Sequence, residues 1–144
     1  MSGFDAVRRP GAASAAPGTA LRCLAALALA ANIAIHVYLA PDHIAEIPYI
    51  GAGFVAASML LGGVLVGLLL WPADRSTWLA GAVLSAGMAA LFVVSRTLGL
   101  PDYHEAWTSD SALGLWCLAP EAVFVVCAIE ALARRTAPER ALRR

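Results

Sequence analysis

The feature that most constrains this chain is a run of 27 residues without a charge, from Ile47 to Ala73. Two shorter runs have the same character. Cys23 to Pro41 contains no acidic or basic residue except His36, and Ser76 to Ser95 contains none. A helix needs about 20 mostly apolar residues to cross a hydrocarbon core ~30 Å thick. Each run therefore predicts one membrane-spanning helix.

A fourth run, Ser111 to Ala133, is equally long but carries Glu121 and Glu130. The chain is 60% hydrophobic and only 14% charged, whereas soluble domains contain about 25% charged residues. We therefore predict an all-α, four-helix transmembrane bundle over residues 20–133. Its spans are expected at about residues 20–40, 49–71, 77–99 and 111–133.

Two short tails flank the predicted bundle. Residues 1–19 are rich in Gly, Ala, Ser and Pro, which cannot form a core, and are expected to be a disordered cytoplasmic tail. Residues 134–144 are rich in arginine and are expected to lie against anionic lipid headgroups in the cytoplasm.

A competing interpretation makes the first run a signal peptide, because Leu24 to Ile35 resembles an apolar signal region that contains Ala28-Leu29-Ala30. Cleavage there would leave three spans. The apolar run continues past that point to Ala40, which favours four spans.

Prolines and aromatic residues indicate where the spans end. Pro41, Pro72 and Pro101 each follow an apolar run, and proline interrupts helical hydrogen bonding. Aromatic rings prefer the level of the lipid headgroups. Such rings cluster at the predicted ends: Tyr38, Tyr49, Trp71, Trp78, Tyr103 and Trp107.

The arginines predict the orientation in the cell membrane. They are found in both tails and, as Arg75, in the middle loop, whereas residues 41–49 and 99–110 contain neither Lys nor Arg. Cytoplasmic segments carry the excess of positive charge. Both termini are therefore expected in the cytoplasm, with the two arginine-free loops outside.

The two outer loops resemble each other in sequence. Pro41-Asp42-His43 is followed by Glu46, and Pro101-Asp102 is followed by His104 and Glu105. One explanation is a parallel duplication of a two-helix hairpin, as in some transporters. The alternative is that Pro-Asp independently ends both helices.

Four polar side chains fall within the predicted spans: Asn32, His36, Arg96 and Glu121. At 1.5 Å per residue, Glu121 lies roughly 15 Å deep, near the midplane. An acid there costs about 2.5–3.5 kcal/mol, so it must face the bundle interior or water. We expect a polar vestibule that leads from the outer face to Glu121. Packing alone is the alternative, with Glu121 bonded to Asn32 and Arg96 extended to the headgroups.

The outer loops also contain candidate metal ligands. These are His43, His104, Asp42, Glu46, Asp102 and Glu105. Imidazole and carboxylate groups can bind a transition metal, but their spacing matches no zinc or copper signature. The alternative is that they are exposed polar loop residues. No other cofactor is predicted, and haem is disfavoured because only His36 lies within a span.

No catalytic motif of the HExxH, GxSxG or Walker A type occurs, so no enzyme is predicted. Nucleic-acid binding is not expected either, because the only basic cluster is the short C-terminal tail. The three cysteines lie in apolar runs and are interpreted as small apolar side chains.

Small residues indicate where helices can approach closely. Gly63 and Gly67 form a GxxxG pair, interpreted as internal packing, with a dimer face as the alternative. Gly81, Ser85 and Ala89 form a stripe of small residues along the third span. Both patterns are ordinary for a packed bundle.

Two segments, His36 to Gly53 and Ser95 to Pro101, look similar to parts of small four-span bacterial integral membrane proteins of uncharacterised function. The segments cover under a fifth of the chain. The resemblance implies the four-span fold, and it brings no activity or functional residue with it.

The sequence therefore predicts an integral membrane protein whose polar vestibule binds or conducts a cation or protons. The alternative is a structural or accessory subunit of a membrane complex with no chemistry of its own. The lipid bilayer is the one partner that composition requires. A second copy of the chain or another membrane protein is left open.

Single cysteines placed in a cysteine-free variant test the orientation. Ile44→Cys and Ala106→Cys should react with a membrane-impermeant maleimide in intact cells, because both lie in the loops expected outside. Ser76→Cys and Arg140→Cys should react only after the cells are opened. Labelling at position 140 in intact cells would contradict the orientation, and a protected position 44 with an exposed position 76 would invert it.

Overall fold

The computed structural model describes residues 17–107 and 112–141, with side chains described in 17–107 and 114–134. This part of the chain forms four α-helices joined by short connections. They are α1 (Thr19–Glu46), α2 (Pro48–Leu70), α3 (Arg75–Thr97) and α4 (Ala112–Ala141). The predicted N-terminal tail lies outside the described residues up to position 16, and so do residues 142–144. Residues 134–141, which belong to the predicted C-terminal tail, continue α4.

Each of the four helices contains a segment long and apolar enough to cross a membrane. The outward surface of the bundle is also apolar: Leu27 is 68% exposed, Met59 74% and Val83 72%. In water such a surface would be unfavourable, whereas lipid tails solvate it. The protein is therefore a four-helix transmembrane bundle, as the sequence predicts.

The helices form a ring in which each one packs against two neighbours. α1 contacts α2 and α4, and α3 contacts α2 and α4, while the diagonal pairs make no close backbone approach among the described residues. The short connections make neighbouring helices antiparallel. All four helices therefore line one central axis.

Small and aromatic residues fill one half of this axis. Trp78 of α3 stacks on Phe124 of α4 with ring centroids 6.0 Å apart. A Cβ on Gly81 would lie 2.5 Å from Phe124 Cε1, so the absence of a side chain there makes room for the ring. Trp78 is fully buried, and its indole N–H donates to the Pro72 carbonyl. Trp78 lies one turn into α3, and its ring faces the core rather than the outer surface of the bundle.

The first helix end differs from the prediction. α1 continues through Pro41 to Glu46. Proline removes one backbone donor, but transmembrane helices tolerate this where neighbouring groups compensate. Within this extension of α1 the His43 ring Nδ1–H donates to the Leu39 carbonyl at 2.9 Å, and Ile44 packs directly on α2.

The reversal from α1 to α2 occurs instead at Ile47. This residue is extended, with φ −139°, and Pro48 begins α2. A residue before proline is driven out of the helical region, and proline suits the first helical position because its missing N–H needs no partner there. The Ile47–Pro48 pair therefore gives a tight hairpin.

The α2–α3 connection is held by an N-cap. Asp74 accepts hydrogen bonds from the backbone N–H groups of Ser76 and Thr77, at 3.3 and 2.9 Å. The hydroxyls of the same two residues also donate to its carboxylate, and together these bonds lower the pKa of Asp74. The carboxylate satisfies donors that the start of a helix leaves free.

The segment after α3 is a turn rather than a helix. Gly99 has φ +79°, and its N–H donates to the Val94 carbonyl, which closes α3. Leu100 and Tyr103 then exchange two backbone hydrogen bonds around Asp102, whose φ is +56°. The Pro-Asp at positions 41 and 42 is helical, so the similar outer sequences have different local structures.

Gly51 offers a test of the α1–α2 packing. A Cβ there would lie 2.6 Å from Ile44 Cα, whereas a Cβ on Gly53 would meet no atom of the described residues within 4 Å. Gly51→Ala should lower the free energy of unfolding in detergent by about 1–3 kcal/mol through overpacking. Gly53→Ala is the control and should be neutral or stabilising by up to about 1 kcal/mol, because alanine favours helix. Equal effects of the two changes would contradict the close approach.

Candidate functional site

Three buried polar side chains lie at one level near the middle of the bundle, and we call them the interior polar layer: Asn32, Ser85 and Glu121. Asn32 and Ser85 are each 1% exposed and Glu121 is 3% exposed. Leu61 of α2 is fully buried in the core. Polar groups with so little contact with the surroundings need partners inside the protein.

Helix register places Ser85 opposite Glu121. Gly81 of α3 faces Phe124 of α4. Ser85 lies one turn after Gly81, and Glu121 lies one turn before Phe124. Since α3 and α4 run in opposite directions, the two side chains reach the same level on facing helix surfaces.

Asn32 of α1 approaches the same carboxylate. Its side-chain amide is within hydrogen-bonding reach of Glu121. Three buried oxygens nevertheless have no hydrogen-bond partner among the described residues: Asn32 Oδ1, Glu121 Oε2 and Ser85 Oγ. The layer therefore has unused acceptor capacity, which normally costs about 1–3 kcal/mol per group.

His36 lies one turn beyond Asn32 on the same face of α1. It is 6% exposed, and its Nδ1–H donates to the Asn32 carbonyl at 3.0 Å. This bond requires the proton on Nδ1, so Nε2 is left as an acceptor in the neutral ring. The ring also contacts Phe54 of α2, with centroids 5.1 Å apart. The titratable imidazole of His36 therefore lies next to the interior polar layer.

Arg96 belongs to a different group. It is buried, and its Nη2 forms an ion pair of 2.7 Å with Glu105, while its guanidinium carbon lies 3.6 Å above the centre of the Phe92 ring. Gly114 lies against the guanidinium, seven residues before Glu121 on α4, which is about 10 Å along the axis. Arg96 is therefore buried in the protein and paired with Glu105 rather than with Glu121.

Residues 98–107 close this end of the bundle, which we call the capped end; it also contains the α1–α2 hairpin. Tyr103 donates to Glu105 at 2.7 Å and lies 3.5 Å from His43 Nε2. Burial is the main cause that raises the pKa of Tyr103. The hydrogen bond to Glu105 and the negative charge of Glu105 raise it further. The Tyr49 hydroxyl donates to the Pro101 carbonyl. The cap thus joins α1, α2 and α3.

The predicted vestibule is therefore divided in two. Asn32, His36 and Glu121 come together inside the bundle, and Arg96 is part of the cap. All four are more than nine-tenths buried, so the interior is closed rather than an open funnel. Sequence reasoning places Ser85 only in a packing stripe and misses its part in the layer. The four-residue spacing from Gly81 puts Ser85 on the same face of α3, but only the register of α3 against α4 brings it to the level of Glu121.

The six candidate metal ligands do not converge. Asp42, Glu46, Asp102 and His104 are exposed, and Glu105 is already engaged by Arg96. Within the described ranges no group of three or more His, Cys, Asp or Glu side chains could hold a metal ion. The geometry favours the interpretation that these are polar residues of the loops and helix ends.

Two grooves on the lipid-facing surface lie away from the interior polar layer. One, of about 330 Å³, lies between α2 and α3 beside Gly63, and the other, of about 550 Å³, lies on α4 around Trp116. Gly67 packs on Thr77, as internal packing requires, whereas a Cβ added to Gly63 would meet no described atom within 4 Å. Of the GxxxG pair, Gly67 therefore packs against a neighbouring helix inside the bundle, and Gly63 does not among the described residues.

Searches of protein-family models, of curated proteins and of solved structures find no match to this chain.

The ion pair in the cap can be tested against an exposed pair in the same protein. Glu105→Gln leaves the buried Arg96 charge without an anion and should lower the free energy of unfolding by about 1–3 kcal/mol. Glu130 pairs with Arg134 at 2.6 Å, but both are exposed. Glu130→Gln should therefore change stability by less than about 0.5 kcal/mol. Thermal unfolding in detergent measures both, and equal losses would contradict a buried role for Arg96.

Proposed function

We propose that the interior polar layer binds a proton or a cation that reaches it from the capped end. The observation that carries this proposal is the Glu121 carboxylate, which is 3% exposed at mid-bundle and has one oxygen without a partner among the described residues. Acids at such depth are functional in most membrane proteins because their burial is costly.

The electrostatics of Glu121 support this proposal. A carboxylate in the centre of a membrane bundle needs a compensating positive charge or a proton. Arg96 is paired with Glu105. Asn32 offers a neutral amide, which hydrogen-bonds to the carboxyl group and carries no charge. A bound proton or cation would supply the missing positive charge.

The histidines support entry from the capped end. His43 and His36 both contact Phe54, with ring centroids 4.6 and 5.1 Å away, so the two imidazoles flank one aromatic ring. His36 in turn bonds to the backbone of Asn32. Imidazole exchanges protons near neutral pH. The row of His43, His36 and Asn32 leads from the cap to Glu121.

We further propose that the protein lies in the cell membrane with both termini in the cytoplasm and the capped end outside. The distribution of arginine supports this orientation, because the segments at the capped end carry Arg96 only within α3 and no Lys or Arg in the loops. In that orientation the interior polar layer receives its ligand from the outer side.

A structural or accessory subunit is the second candidate. The contact between Asn32 and Glu121 joins α1 to α4, and polar contacts of this kind fix helix packing in membranes. In this case the charge of Glu121 has no role of its own, and a neutral side chain of the same shape would serve equally well.

Glu121→Gln separates the two candidates. The amide keeps the shape and most hydrogen bonds of the carboxyl group but cannot exchange a proton near neutral pH. The variant should fold with equal or higher stability under either candidate. If the site binds a proton or a cation, the variant should also lose the dependence of thermal unfolding on pH and cations that wild type shows.

Glu130→Gln is the matched control and should behave as wild type, because Glu130 is exposed near the opposite end of the bundle. Identical pH and salt dependence in wild type and Glu121→Gln would favour the structural subunit. A Glu121→Gln variant that fails to fold would contradict both candidates.

A further inference from the structure

We propose that the interior polar layer is a site for one dehydrated monovalent cation, held by oxygens of Glu121, Asn32 and Ser85. This inference rests on the proposed function and names the class of its ligand. The three side chains come from α4, α1 and α3, are 1–3% exposed, and each has an oxygen without a partner among the described residues.

Ser85 is the observation that points beyond a simple proton site. Hydroxyls on membrane helices usually donate to a carbonyl of the preceding turn. Ser58 and Thr97 each do so at 2.8 Å, to Phe54 and Val93. The Ser85 hydroxyl is buried and makes no such bond within the part of the chain that the structure describes. Its oxygen is therefore available at the level of Glu121.

The orientation of Asn32 also leaves a side-chain oxygen available near Glu121. Its amide group approaches Glu121, and its Oδ1 is left buried without a donor from the described residues. A proton on Glu121 would satisfy one acceptor at most. A cation between the three side chains would be shared by the carboxylate, the amide oxygen and the hydroxyl at once.

The donor atoms select the class of cation. Carboxylate, amide and hydroxyl oxygens are hard ligands, which suit Na⁺, K⁺, Mg²⁺ and Ca²⁺ rather than transition metals. No buried thiolate or pair of histidines is required by this arrangement. The layer therefore differs in chemistry from the transition-metal site considered for the loops.

The charge of the layer selects a monovalent ion. One carboxylate and one monovalent cation form a neutral pair, whereas a divalent ion would leave an uncompensated positive charge inside the membrane, which is costly.

Sodium binding to the purified protein tests this inference. Thermal unfolding in detergent should shift to higher temperature with increasing NaCl and then saturate, because a ligand that binds only the folded protein stabilises it. Choline chloride at the same ionic strength should give no such shift, since choline is too large for the closed layer. KCl and LiCl compare ions of the same charge, and MgCl₂ tests the divalent alternative.

Variants assign the effect to the layer. Glu121→Gln and Ser85→Ala should abolish or strongly weaken the sodium-specific shift, and Ser58→Ala, whose hydroxyl bonds to its own helix, should retain it. If Ser85→Ala does not fold, equilibrium binding of radioactive sodium to wild type and Glu121→Gln gives the same comparison. Binding should then be stoichiometric in wild type and lost in the variant.

The outcomes separate this inference from the proposed function. A shift that depends on pH and Glu121 but is equal in NaCl and choline chloride would overturn the monovalent-cation site and leave a proton site. A shift with MgCl₂ alone would also overturn it. If neither pH nor any cation distinguishes wild type from Glu121→Gln, the proposed function fails as well.

Discussion

The burial of one carboxylate in the middle of a membrane bundle is the constraint on which the rest of this structure depends. Glu121 is 3% exposed, and such a group is tolerated only where the surrounding helices supply polar partners. Asn32 of α1 approaches it, helix register brings Ser85 of α3 to the same level, and all three side chains are buried. On the side of the interior polar layer that is away from the capped end, the core around Trp78 and Phe124 is apolar and tightly packed.

The cap explains why the interior is closed. Arg96 does not descend toward Glu121 because Glu105 binds it at 2.7 Å from a loop folded back over α3. That fold depends on Gly99, whose φ of +79° ends the helix, and on the backbone bond from Glu105 to Ser95 at 3.3 Å. The buried arginine is thereby neutralised at the capped end. The charge of Glu121 is left for another partner.

Hydropathy predicts the four helices because a span in lipid requires a long apolar run with its backbone bonds satisfied internally. Rules based on individual residues predict the ends of the helices less well. Proline at position 41 predicts the end of α1, but packing of Ile44 on Gly51 extends the helix to Glu46. The pairing of Arg96 with Glu105 depends on loop geometry, and the place of Ser85 depends on the register of α3 against α4. Neither can be obtained from spacing along the chain.

Infrared difference spectroscopy of the carboxyl groups tests the central claim most directly, since it observes the Glu121 side chain itself. Reconstituted wild-type protein without sodium should show a protonated-carboxyl band that disappears when sodium is added or the pH is raised. The band should be absent from Glu121→Gln. A carboxyl spectrum that is insensitive to pH and sodium, or a response that survives in Glu121→Gln, would contradict a proton or cation site at this residue.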